Sequence, residues 1–291
     1  MSDQLIAVTG VTGGVGGRVA RRLAAAGARQ RLLARRPDLV PELPGAEPAH
    51  ADFHQPDSVR AALAGAGTLF LVSAGEDANR VRLHTGAVDA ALAAGVERIV
   101  YLSFLACGPD STFTFARDHW HTEQHIQAAG VPHTFLRDSL YQDVLPYFPD
   151  QAGVIRGPAG DGRFAPVARD DIADAAAAVL LAPEAHDARA YDLTGPATLS
   201  LAEVADQLAQ AAGHPVRYHA ETMAEAYASR ARFGAPDWEV AGWVTSYAAI
   251  ATGELDQVSG AVGELAGHPP VSFAEFLAAN PATLARLRRA G

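Results

Sequence analysis

Apolar and polar positions follow two alternating rhythms over the first half of the chain. Strand-length apolar runs occur at 5–10 (LIAVTG), 31–34 (RLLA), 68–73 (TLFLVS), 97–103 (ERIVYLS) and 133–137 (HTFLR), with a further strand expected at 47–51. Helix-length segments separate them. After the first run, Val15, Val19 and Leu23 recur at i, i+4 and i+8, the stripe of a helix packed on a sheet, and Gly27 stops it. Further helices are expected over 57–63, 79–94 and 115–129, the last two closed by Gly95 and Gly130. Strand–helix alternation at this spacing predicts right-handed βαβ units and an α/β fold with a doubly wound parallel sheet.

Beyond residue 138 the rhythm loosens. Pro146, Pro149, Gly153, Gly157, Pro158, Gly160 and Gly162 mark loops. A helix follows to Leu181, with Asp170 as its expected N-cap, then a strand at 191–195. Helices near 200–212, 221–233, 236–253 and 273–290 close the chain, the last ending in Arg286, Arg288 and Arg289.

The first strand–helix junction reads Thr9-Gly10-Val11-Thr12-Gly13-Gly14-Val15-Gly16. Gly10 suits a tight turn, Gly13 a close approach of a pyrophosphate to the backbone, and Gly16 close helix–sheet packing. The helix N-terminus would then offer free N–H groups to the phosphates. This predicts a Rossmann dinucleotide-binding unit over 1–150, with contacts from Gly10, Thr12, Gly13, Gly14, Val15 and Gly16. A smaller, mostly helical unit is expected over 151–291, with parts of 165–195 returning to the first. The second strand ends Arg35-Arg36-Pro37, where NAD-preferring sites carry an acid. Two guanidinium groups there suit a 2′-phosphate, predicting about 10- to 100-fold preference for NADP over NAD. Asp52 reads either as an acceptor for the adenine amino group or as a helix-initiating residue. Ser73 and Ala74, at the next strand end, complete the expected cofactor contacts.

Composition narrows the chemistry. Of 291 residues, 49% are hydrophobic and 19% charged, enough for a packed core. A net charge of −10 disfavours nucleic acid and anionic membranes. All 23 basic residues counted as Lys or Arg are arginine, which removes any lysine nucleophile, acid or base. The single cysteine, Cys107, excludes an internal disulfide and reads as structural or inert. His121 and His125 share a helix face, but Glu123 is misplaced for a His-Glu-x-x-His site, so no metal is expected. The N-terminus carries no secretory pattern and the longest apolar run, 175–182, is half a membrane span, so a soluble, cytoplasmic protein is expected.

Taken together, TGVTGGVG at 9–16, the Ala-Arg-Arg-Pro strand end, LVS at 71–73, YLS at 101–103, LRDSLYQD at 136–143 and AGDGRFAPVARDDIADAAAAVL at 159–180 resemble the NmrA-like branch of the atypical short-chain dehydrogenases/reductases. Within it the chain looks most like the quinone oxidoreductase type 2 and triphenylmethane reductase group. The resemblance extends through 194–213 and the helical end. It implies NADPH lying between two domains and hydride transfer to a quinone or similar conjugated, electrophilic small-molecule acceptor. It also implies an alternative, since some members are non-catalytic, cofactor-sensing regulators. Oligomeric state is not legible, with a homodimer one option.

Active short-chain dehydrogenases usually carry Tyr-x-x-x-Lys on the helix after the fifth strand. Here Phe115 and His119 occupy those places. Phe115 has no proton to donate, and His119 would be largely neutral. A quinone accepts hydride to give a resonance-stabilised anion, so a dedicated acid is helpful but not obligatory. Ligands bind at strand C-termini in open α/β sheets. Candidates to polarise the acceptor oxygen are therefore Tyr141, Ser103 and His119, with Ser103 and His119 also candidate cofactor contacts. For each, packing or a backbone hydrogen bond is the competing role.

Overall fold

The computed structural model describes residues 4–288. Seven parallel strands form the central sheet in the order β3-β2-β1-β4-β5-β6-β9. They are β1 (Ile6–Val8), β2 (Gln30–Ala34), β3 (Ala46–His50), β4 (Thr68–Val72), β5 (Arg98–Phe104), β6 (His133–Asp138) and β9 (Arg189–Leu193). The strand order reverses between β2–β1 and β1–β4, where Val8 pairs with Leu32 on one side and Phe70 on the other. Ligands bind at such a switch point.

Strict alternation along the strands distributes the core. Val8, Leu32, Phe70, Val100, Leu102 and Leu136 face one layer. Ala7, Leu33, Leu69, Leu71, Tyr101 and Phe135 face the other. Period-two side chains leave no other arrangement once both faces are covered. The first layer holds α1 (Gly16–Ala25), α5 (Arg169–Leu181) and α9 (Ala261–Ala266). The second holds α2 (Pro56–Leu63), α3 (Arg80–Ala93) and α4 (Thr114–Ala128). Buried alanines at 173, 175, 176 and 177 keep α5 slim against its neighbours.

A separate core unites β7 (Val154–Gly157), β8 (Arg163–Phe164), β10 (Leu199–Ser200), α6 (Leu201–Ala212), β11 (Arg217–Ala220), α8 (Asp237–Ala251) and α10 (Phe273–Ala279). β8 pairs with β10 and β7 with β11. α7 (Met223–Arg230) packs beside α8. Ser200/Glu203, Thr222/Glu225 and Ser272/Glu275 form capping boxes on α6, α7 and α10.

Three expectations change. Asp170 does not cap α5: the N-cap position is Ala168, and Asp143 accepts the N–H of Arg169 at 3.0 Å. Asp170 instead takes Arg18 and Arg22 from α1, and Asp171 accepts from the Val271 N–H at 2.8 Å. The expected final helix breaks at Asn280–Pro281 into α10 and α11 (Ala285–Arg288), because proline lacks the N–H and restricts the residue before it. Short α9 had no signal in the periodicity, with one turn and a half between Gly260 and Gly267. Arg289 and residues 1–3 lie outside the described residues. Among the described residues no helix is long and apolar enough to cross a membrane.

Candidate functional site: the cleft at the switch point

A cleft of about 340 Å³ opens at the C-terminal ends of β1, β2 and β4. Its floor is the turn from β1 into α1. Gly10 has φ +65°, and an added Cβ would lie 3.0 Å from Val72. The Gly13 N–H donates to the Gly10 carbonyl at 2.8 Å, and a Cβ on Gly13 would lie 3.1 Å from that oxygen. On Gly16 a Cβ would come 2.4 Å from the Thr9 carbonyl, so this helix origin can approach the strand only without a side chain. The first turn of α1 has neither an acidic residue nor a side-chain cap. Its N–H groups and dipole stay available to an anion, in contrast to the three helices closed by capping boxes.

The expected cofactor residues divide by place. Gly10, Thr12, Gly13, Arg35, Asp52, Ser73 and Ala74 line the cleft. Gly14, Val15 and Gly16 form the helix origin beneath it rather than its wall. Arg35 is exposed and, among the described residues, its guanidinium has no ion-pair or hydrogen-bond partner; Arg36 is likewise unpaired but does not line the cleft. The Asp52 carboxylate accepts the His54 N–H at 3.0 Å, a local turn that starts α2, and still borders the cleft. Sequence reasoning missed Leu33, Phe53, His54 and the 75–77 segment of the wall. Their only signal is proximity to strand ends.

The three acceptor-polarising candidates end up differently placed. His119 is buried, 6% exposed, with Arg80 Nη2 2.9 Å from Nε2 and the Tyr101 hydroxyl 2.9 Å from Nδ1. Arginine only donates, so Nε2 accepts and Nδ1–H donates to Tyr101. Burial and the Arg80 charge hold this imidazole neutral, well below its usual range. Neither nitrogen is left for a ribose or an acceptor. The Ser103 hydroxyl is also buried and donates to Glu123 at 2.6 Å, a carboxylate already clasped by Arg137 at 2.6 and 2.9 Å. Cys107 joins that cluster, donating to Glu123 at 3.3 Å, and burial pushes its thiol up to about 12. The thiolate that reactivity needs is suppressed.

Tyr141 lies outside the cleft wall. Its hydroxyl donates to Asp138 at 2.8 Å. Burial pushes the Asp138 carboxyl up to about 8, against the pull of that hydrogen bond and of Arg169 and Arg80. At neutral pH the pair therefore retains a proton on each partner.

A polar layer absent from the sequence reading supports the cleft from below. The Ala74 N–H donates to His84 Nε2 at 2.9 Å, and the Ala74 carbonyl accepts from Arg80 Nε at 3.1 Å. His84 Nδ1–H then faces the Thr122 hydroxyl at 2.9 Å. Burial lowers the His84 imidazole to about 3, so it stays neutral. The loop after β4 is thus fixed by both of its main-chain groups at one residue. Among the described residues no group of three His, Cys, Asp or Glu side chains converges to hold a metal.

Residues 10–183 match a protein-family model described as NAD(P)H-binding. The NAD(P)H azoreductase of Xenophilus azovorans is 32% identical over 283 residues, covering 96% of this chain and 98% of that protein. The crystal structure of the Escherichia coli NADPH-dependent quinone oxidoreductase QOR2 complexed with NADPH superposes with TM-score 0.85 at 30% identity, covering 94% of this chain and 99% of that one. The Citrobacter sp. triphenylmethane reductase complexed with NADP(H) gives TM-score 0.79 at 30% identity, covering 94% and 99%. NmrA, a negative transcriptional regulator, shares the fold alone, at 17% identity and TM-score 0.74. Matched by the family model over more than half its length, the chain belongs to the NAD(P)H-binding family.

Proposed function

We propose that the protein is an NADPH-dependent reductase that transfers hydride to a quinone or a similar conjugated, electrophilic small molecule. The observation that carries this is the pairing, in one cleft, of an uncapped glycine-built helix origin with the unpartnered Arg35 at an acid-free strand end. The first fits a pyrophosphate and the second a 2′-phosphate. The whole-length likeness to the azoreductase, the quinone oxidoreductase and the triphenylmethane reductase supports the acceptor class.

The dinucleotide, when bound, supplies the hydride. The chain's residues do the rest. Gly10, Gly13 and the α1 origin hold the pyrophosphate, Arg35 the 2′-phosphate, and Asp52 the adenine amino group. Arg80 and His84 hold the Ala74 main chain rigid against the cleft, while His119 acts through Arg80 as a positioning residue. Tyr141 is the donor we assign to the developing negative charge on the acceptor oxygen. The protonated Asp138 beside it can return a proton to the phenol oxygen. This arrangement needs no Tyr-x-x-x-Lys pair.

The test is anaerobic NADPH oxidation with purified protein against quinones, azo dyes and triphenylmethane dyes. Acceptor-dependent oxidation with at least one class is expected. Micromolar NADPH binding without turnover on any acceptor would move the protein to the regulatory reading.

A further inference from the structure

Arg169, the first residue of α5, sends its side chain back toward α1. The guanidinium lies over the Tyr141 ring, 4.6 Å from its centroid. A Cβ on Gly14 would come within 2.9 Å of the Arg169 Cδ and Nε, so the side chain is pressed against the glycine turn. Among the described residues its buried Nε has no hydrogen-bond partner. Buried orphan donors are rare in native folds. The Arg169 Nη1 lies 3.9 Å from Asp143, a carboxylate that already accepts Arg18 at 3.3 Å and the Arg169 main-chain N–H at 3.0 Å. Arg18, also beside the turn, is committed to Asp143, Asp170 and the Gly14 carbonyl. Of these two cations, Arg169 is the one with an unused donor against the turn.

We propose that Arg169 is a cofactor-binding residue whose guanidinium pairs with the pyrophosphate seated on the glycine turn, closing it from the α5 side. The assignment rests on the NADPH reading of the cleft. A pyrophosphate brings two negative charges, and a helix origin offers only about half a positive one. A charge-assisted bond from a guanidinium supplies the difference. Because the same side chain stacks on Tyr141, holding the pyrophosphate also fixes the ring whose hydroxyl meets Asp138.

The experiment is titration calorimetry of the full-length wild type, Arg169→Met and Arg169→Lys with two ligands. One is NADPH. The other is 2′-AMP, which carries the adenosine and 2′-phosphate but no pyrophosphate. Loss of one charge-assisted contact predicts NADPH binding weakened about 10- to 100-fold in Arg169→Met and less in Arg169→Lys. Binding of 2′-AMP should stay within about threefold of wild type, since Arg35 and Arg169 act on different phosphates. Wild-type NADPH affinity in Arg169→Met overturns the assignment, as does equal weakening of both ligands in both variants. A wild type that binds neither ligand overturns the reading of the cleft itself, and the assignment with it. Thermal melting of both variants identifies any loss of fold, and Arg169→Lys, which keeps the charge over Tyr141, carries the comparison if Arg169→Met melts early.

Discussion

The glycine turn and the polar layer under α3 and α4 serve one cleft, the second through Ala74, yet they are made of opposite materials. The turn is main chain: φ angles, missing Cβ atoms and a helix origin with no side-chain cap. The layer is side chains whose hydrogen-bonding capacity is spent on one another, from Arg80 through His119 to Tyr101 and from His84 to Thr122. A site that must receive an anion keeps donors unsatisfied and open to solvent. A layer that must hold a loop still turns its polar groups on one another, out of reach of water. The side chains of the layer, chemically versatile, are committed to one another, whereas the glycine turn leaves its helix origin without a side-chain cap.

If the turn is the receiving half, the largest effect belongs to a branch placed on it. Gly13→Val should abolish NADPH binding, with no thermal shift at millimolar cofactor, because the added atoms crowd the Gly10 carbonyl and fill the pyrophosphate's place. A full shift in that variant would remove the turn from the site.

The next effect concerns Tyr141, which belongs to neither region and meets Asp138 and Arg169. Tyr141→Phe should slow single-turnover reduction at saturating NADPH by about 10- to 1000-fold, the range for one donor to a developing oxyanion. Retention of the wild-type rate with unchanged acceptor binding would leave Tyr141 a packing partner of Arg169 and give the proton to solvent.

Arg35→Ala should reduce the ratio of NADPH to NADH affinity by about 10- to 100-fold while leaving NADH binding nearly unchanged. Calorimetry with both cofactors reads this directly. An unaltered ratio would transfer the role to Arg36, which lies off the cleft wall.

The smallest effect on cofactor binding is expected in the polar layer, although the cost to the fold is large. His119→Ala should change NADPH affinity by less than about fivefold but lower stability by about 2–4 kcal/mol at pH 7.5, because the Arg80 and Tyr101 polar atoms lose a buried partner. The pH dependence has a definite sign. Both His84 and His119 have lowered values in the fold, so the unfolded chain takes up more protons below its own histidine value of about 6.5. Their share of stability is present above that pH and is lost as the pH falls toward 3, through the His84 value of about 3. The gap between wild type and His119→Ala in chemical unfolding should therefore narrow from pH 7 to pH 5. A constant gap would mean that the imidazole titrates in the fold as it does in the unfolded chain, and a widening gap that it is charged there.

Much of the Rossmann half was legible because its code is local. Period-two runs, glycine stops and a strand–turn–helix junction each act within about ten residues, and β1, α1, β4 and β5 lie within two or three residues of their expected ends. Local signals failed where a distant partner decides. Asp170 has the composition of an N-cap, but Arg18 and Arg22 on α1 recruit it and Asp143 takes over the cap from 26 residues away. The expected 273–290 helix failed for a local reason, the Pro281 backbone, which ends α10.

For the site, the order of the glycines and the acid-free strand end needed no tertiary information, since both are residue types at fixed places in one βαβ unit. The fates of Ser103, His119 and Tyr141 were decided only by the packed structure. Whether a hydroxyl or an imidazole is a catalyst or a strut depends on which partners arrive when the chain closes. Glu123 comes to Ser103 from 20 residues along the chain, and Arg80 to His119 from 39. Sequence spacing encodes the turn because its geometry is set by the backbone. It leaves the side-chain sites open because their partners are brought together by the fold.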